Sequence, residues 1–119
     1  MGPYWKVPVR WLRGAALAIV TLGALLVFPH APGTTADFTI IQKGSAFSVR
    51  QITIKVGDRI TFVNQDSVNH HVFSETKGSE IDILQRPGRS DTVRFVQPGT
   101  VAVECAIHPE MTLEVKVRP

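Results

Sequence analysis

From residue 38 onward, apolar and polar side chains alternate with a period of two. In QITIKVGDRITFVN, Ile52, Ile54 and Val56 fall on one side and Gln51, Thr53 and Lys55 on the other, and Gly57-Asp58 separates this run from a second, Ile60 to Asn64. Short alternating runs rich in β-branched residues and bounded by Gly and Asp predict half-buried strands joined by turns. The pattern recurs at FTIIQ (38–42), HHVFS (70–74), IDIL (81–84), DTVRFV (91–96), TVAVEC (100–105) and TLEVKV (112–117). Turn signals RPGR (86–89) and QPG (97–99) lie between them. The fold class is therefore all-β, an antiparallel Greek-key β-sandwich of seven to eight strands. In it, Val101, Val103 and Cys105 share one face of a strand, and Leu113, Val115 and Val117 one face of the next. Cys105 thus reaches the rim of the core, and Glu104 points to solvent.

The N-terminal stretch follows another rule. MGPYWKVPVRWLRGAALAIVTLGALLVF holds Lys6, Arg10 and Arg13, no acid, and an uncharged apolar run from Gly14 to Phe28. Cations ahead of an apolar run mark an export signal or a membrane-anchor helix, with Tyr4, Trp5 and Trp11 as interfacial aromatics. The run is short for a span of roughly 20 residues, although counting back to Trp11 brings it near the lower limit of about 17. Cleavage after Thr34-Thr35-Ala36 and retention as an anchor both remain open. HAPGTTA (30–36) reads as a linker. The expected organisation is a signal peptide or membrane anchor plus linker over residues 1–36 and one domain over 37–119. The positive-inside rule puts that domain on the periplasmic or other extracytoplasmic side.

The three N-terminal cations equal the whole formal net charge of +3, and residues 37–119 carry ten charges of each sign. The basic pI is therefore no sign of a nucleic-acid partner. A single cysteine excludes an internal disulfide, the usual support of small exported domains. Some other chemistry is expected to use Cys105.

That chemistry is suggested by VECAIHPEM (103–111), where Cys105, His108 and Met111 fall at three-residue intervals in a loop between two strands, stiffened by Pro109. Thiolate, imidazole and thioether form a soft to intermediate donor set. Zinc rarely takes a thioether and calcium takes oxygen, so copper is the preferred metal. A type 1 copper site needs a second imidazole, and NQDSVNHHVF offers His70 and His71. A Cys-His enzyme would use Cys105 as nucleophile and His108 as base, but the loop supplies no third orienting group and no evident oxyanion hole. An enzyme is therefore not expected.

With these residues in view, the chain resembles the cupredoxins, the small blue copper proteins, and most closely the amicyanin, plastocyanin and pseudoazurin branches. The family pattern Cys-x-x-His-x-x-Met is met by Cys105, His108 and Met111. The upstream pattern Asn-x-Asp/Glu-x-x-x-His-x-Val is met by Asn64, Asp66, His70 and Val72, which selects His70 over His71 as ligand. Two positions depart from the pattern. His71 stands where the family usually has an Asn that ties the ligand loops together, and Glu104 stands where an aromatic often precedes the cysteine. The resemblance implies one type 1 copper held by His70, Cys105, His108 and Met111. It further implies one-electron transfer by a monomer with transient redox partners such as a c-type cytochrome, a dehydrogenase or an oxidase. The alternative is a periplasmic copper carrier or storage protein without an electron-transfer role.

Overall fold

The computed structural model describes residues 33–119 together with Gly2; the expected signal or anchor helix lies outside the described residues. No helix among the described residues is long and apolar enough to cross a membrane. The described residues form eight strands: β1 (Asp37–Gln42), β2 (Gln51–Lys55), β3 (Arg59–Asn64), β4 (His70–Ser74), β5 (Ile81–Gln85), β6 (Ser90–Arg94), β7 (Gly99–Cys105) and β8 (Thr112–Arg118). They lie where the alternation places them, because each run has one apolar face to bury. Three of them form a sheet in the order β1-β3-β6, and five form a second in the order β2-β8-β7-β4-β5.

The sandwich is not wholly antiparallel. β1 runs parallel to β3, from Asp37 opposite Arg59 to Gln42 opposite Asn64, and β2 runs parallel to β8. The chain changes sheet between β1 and β2 and again between β2 and β3, so these sequence neighbours do not pair. Alternation reports which face of a strand is buried, whereas pairing direction depends on where the connections lead.

The core fills the space between the sheets. Ile40, Ile60 and Phe62 come from the small sheet, and Ile54, Val72, Val101, Val103, Leu113 and Val115 from the large one. Phe62 is fully buried and meets Phe47 edge to face, with centroids 6.1 Å apart. The inward assignment of Val101, Val103 and Cys105 holds, whereas Val56 is 40% exposed because β2 ends at Lys55. There Gly57 turns the chain with a positive φ of 97°.

Asp58 locks this turn. Its carboxylate accepts the Ala36 and Lys55 amides, each at 2.8 Å, and so ties the residue before β1 to the end of β2. These bonds, that from Ala36 first, hold its pKa below the ordinary carboxylate value. A depressed folded-state pKa adds stability that is present above the unfolded value of about 3.9 and is lost as pH falls through the folded value. Asp58→Asn keeps one acceptor and sets an NH2 group against an N–H. It is expected to lower the urea midpoint at neutral pH, with the gap to wild type narrowing below about pH 4. A gap independent of pH in urea titrations would contradict this role.

Candidate metal centre

The three-residue spacing in VECAIHPEM has a backbone cause. The His108 amide donates to the Cys105 carbonyl at 3.2 Å and the Met111 amide to the His108 carbonyl at 2.9 Å. Two β-turns therefore follow each other, sharing His108, and the three residues are their end positions. Pro109 occupies the second position of the second turn, which its fixed φ suits. The Cys105 amide closes the loop by donating to the Met111 carbonyl at 3.0 Å. The two ends of the loop thus stay paired where β7 leaves off and β8 begins.

His70 reaches the same place from β4, whose Val72 is the register partner of Cys105. Its Nδ1 lies 3.8 Å from Cys105 Sγ, and His108 Nδ1 lies 3.7 Å from the same sulfur. The imidazole centroids are 5.1 Å apart. His70, Cys105 and His108 are the one such cluster among the described residues, with donor atoms all within 4.8 Å of one another. Cys105 and His70 are fully buried, Met111 is buried at the end of the loop, and His108 is half-buried.

These spacings fit a metal. With bond lengths of about 2.0 Å to imidazole nitrogen and about 2.3 Å to thiolate, an angle of about 120° separates the two donors by about 3.7 Å and a tetrahedral angle by about 3.5 Å. The observed 3.7 and 3.8 Å leave room for one ion between the thiol and both imidazoles, as a His2Cys copper site requires.

Asp66 fixes which His70 nitrogen is free. Its carboxylate accepts the Ser45 amide at 3.0 Å and the Gly44 amide at 2.7 Å, and it lies 2.6 Å from His70 Nε2. Gly44 and Ser45 have φ of 62° and 53°, successive left-handed residues that turn both N–H groups toward the anion. The Ser45 amide, the His70 ring and the Gly44 amide lower the Asp66 pKa to about 2. The ionised carboxylate only accepts, so His70 carries its proton on Nε2 and keeps the Nδ1 lone pair for a metal.

The two departures from the family pattern also find places. The His71 amide donates to Cys105 Sγ at 3.3 Å, while its ring turns outward to Asp82 at 2.6 Å and packs on Phe73. The structure therefore does not bring the His71 ring into the cluster. Glu104 is exposed beside Phe73 across the strand pair. The His71 amide and the Gly44-Ser45 nest are functional groups that the sequence reading missed. A main-chain donor leaves no mark on residue type, although Gly44-Ser45 is a turn signal from which the nest was open to inference.

Asp66→Ala leaves two amides and the His70 Nε2–H without their carboxylate. Removing such a partner is expected to weaken copper binding about 10–100-fold. A chelator competition showing unchanged affinity would contradict the role given to Asp66.

Comparison with known proteins also points to copper. Residues 34–118 match the family of copper binding proteins of the plastocyanin/azurin type. Amicyanin-alpha of Methylorubrum extorquens is 30% identical over 107 residues, covering 87% of this chain and 88% of the relative. The methylamine utilization protein MauL of the same organism is 34% identical over 100 residues, covering 82% and 88%. Among solved structures, amicyanin from Paracoccus versutus superposes with a TM-score of 0.62 at 20% identity, over 74% of this chain and 85% of that one. A copper-containing nitrite reductase from Thermus scotoductus superposes with a TM-score of 0.64 at 24% identity, over 79% of this chain and 26% of that one, a likeness of fold alone. The chain belongs to the plastocyanin/azurin family of copper binding proteins, the cupredoxins.

Proposed function

We propose that residues 37–119 form a one-electron carrier holding one type 1 copper through His70, Cys105, His108 and Met111. Residues 1–36 deliver it to the periplasmic side as a cleaved signal or a retained anchor. The observation that carries this reading is the placement of two imidazole Nδ1 atoms at 3.8 and 3.7 Å from one buried thiol. When bound, copper supplies a Cu(II)/Cu(I) couple. Cys105 would hold the metal as a thiolate, His70 and His108 as neutral imidazoles, and Met111 as a weak thioether donor that tunes the potential.

The chain itself keeps these groups in place. Asp66 holds the His70 ring, the two turns hold His108 and Met111, and the His71 amide holds the thiolate. Ligands that barely move when the metal changes charge keep the cost of each electron transfer low. His108 is half-buried between Ile107, which is 48% exposed, and the exposed Pro109. This apolar rim suits a weak, small-interface complex with a redox partner. A relative named for methylamine utilization supports a dehydrogenase such as methylamine dehydrogenase as donor, and the family resemblance suggests a c-type cytochrome as acceptor. An oxidase would meet the same rim.

The test is the visible and EPR spectrum after one equivalent of Cu(II), followed by ascorbate. An intense blue or green band with narrow copper hyperfine splitting is expected, bleaching reversibly. Cys105→Ala is expected to abolish the band, whereas Met111→Ala retains copper with a shifted potential. A pale tetragonal spectrum, or binding of Cu(I) alone, would replace electron transfer with copper carriage or storage.

A further inference from the structure

We propose that Gln85 is a positioning residue for the metal centre, acting through a buried chain of hydrogen bonds that ends on His70. The inference rests on the reading of His70 as a ligand. Gln85 lies on β5 at the edge of the large sheet, directly opposite His70 in the β4–β5 register. Alternation turns it inward with Ile81 and Ile83, so an amide is fully buried where the pattern calls for an apolar side chain.

That amide crosses to the other sheet and bonds to all three of its strands. Gln85 Nε2 donates to the Phe62 carbonyl on β3 at 3.0 Å and to Asp91 Oδ2 on β6 at 2.9 Å. Its Oε1 accepts the side-chain amide of Gln42 on β1. The orientation is forced, since a flipped amide would set its oxygen against a carbonyl and a carboxylate.

The backbone of Gln85 continues the chain toward the metal. Asn64 Nδ2 donates to the Gln85 carbonyl at 3.1 Å and to the Val68 carbonyl at 2.9 Å, while Asn64 Oδ1 accepts the Asp66 amide at 2.9 Å. Asp66 then holds His70 Nε2. Gln85 therefore acts on His70 from two directions, through the β4–β5 ladder and through the loop before β4.

Of the six buried polar or charged side chains among the described residues, four belong to this chain: Gln42, Asn64, His70 and Gln85. Apolar packing in their place would avoid the desolvation of several amides. What directional bonds add is one fixed geometry, where apolar surfaces are free to slide. That geometry is fixed at the end of the sandwich where His70 enters the cluster.

The test compares Gln85→Met, which keeps the length and removes the amide, with Gln42→Met, which removes only the β1 bond. Val101→Ala, a buried truncation outside the chain, is the control. In the copper-free protein, NMR follows solvent exchange of the His70 Nε2–H. In the copper-loaded protein, the EPR hyperfine splitting and the reduction potential are recorded. Gln85→Met is expected to speed the exchange about tenfold or more and to shift both copper signatures, Gln42→Met to do so less, and Val101→Ala to leave His70 as in wild type. If Gln85→Met does not fold, Gln42→Met and Asp91→Asn decide by the same readouts. Lower stability with unchanged exchange, EPR and potential would overturn the proposal, as would an equal response from Val101→Ala. The exchange measurement needs no metal, so a wild type without a thiolate-to-copper band would reject the copper reading separately.

Discussion

The site depends on one hydrogen bond that touches no metal, from His70 Nε2–H to the Asp66 carboxylate. It is 2.6 Å long, and its acceptor is held by two backbone amides from the loop after β1. The bond decides the tautomer of a fully buried imidazole and turns its free nitrogen toward Cys105. Without it, the ring would be free to present the protonated nitrogen to the cluster, and the other donors would face an incomplete site. The left-handed Gly44-Ser45 pair serves this carboxylate. A non-glycine residue at a φ of 53° is an uncommon backbone state, and the Ser45–Asp66 hydrogen bond helps offset it.

The other three proposed donors sit on a loop shaped by its backbone. Two consecutive turns and one closing bond set Cys105, His108 and Met111 at the ends and the junction of a loop whose shape comes from main-chain hydrogen bonds. The sheets supply the remaining constraint, since β4 and β7 are paired at Val72 and Cys105. Ligand atoms held this way need little rearrangement to receive an ion. A site placed on strand ends and tight turns is also more sharply defined than one on free loops.

Much of this was legible in the residues. Period-two alternation located all eight strands and the inward faces of β7 and β8, because burial of one face is what the alternation encodes. Cys105 and His108 were readable as neighbours because a turn of fixed length joins them, and the family pattern met by Asn64 and Asp66 pointed to His70, which the structure brings to the same cluster. Parallel pairing of β1 with β3 and of β2 with β8 was not legible, since it depends on where the chain crosses between sheets. The outward turn of His71 likewise depends on Asp82, eleven residues on and beside it only once β5 has paired with β4. Gln42 ends the first alternating run and Gln85 lies just past IDIL, so neither stood out in the sequence. Their meaning emerges only when the sheets are stacked and the two amides meet.

The claim at the centre of this account is that the protein, not the metal, sets the geometry. High-resolution crystal structures of the copper-free and Cu(II) forms test it most directly. The Sγ to Nδ1 distances and the 105–111 loop are expected to agree between the two forms within about 0.5 Å, with His70 on Asp66 in both. A copper-free structure with His70 released from Asp66, or with the loop rebuilt around an absent ion, would show that the metal organises the site and would contradict the account.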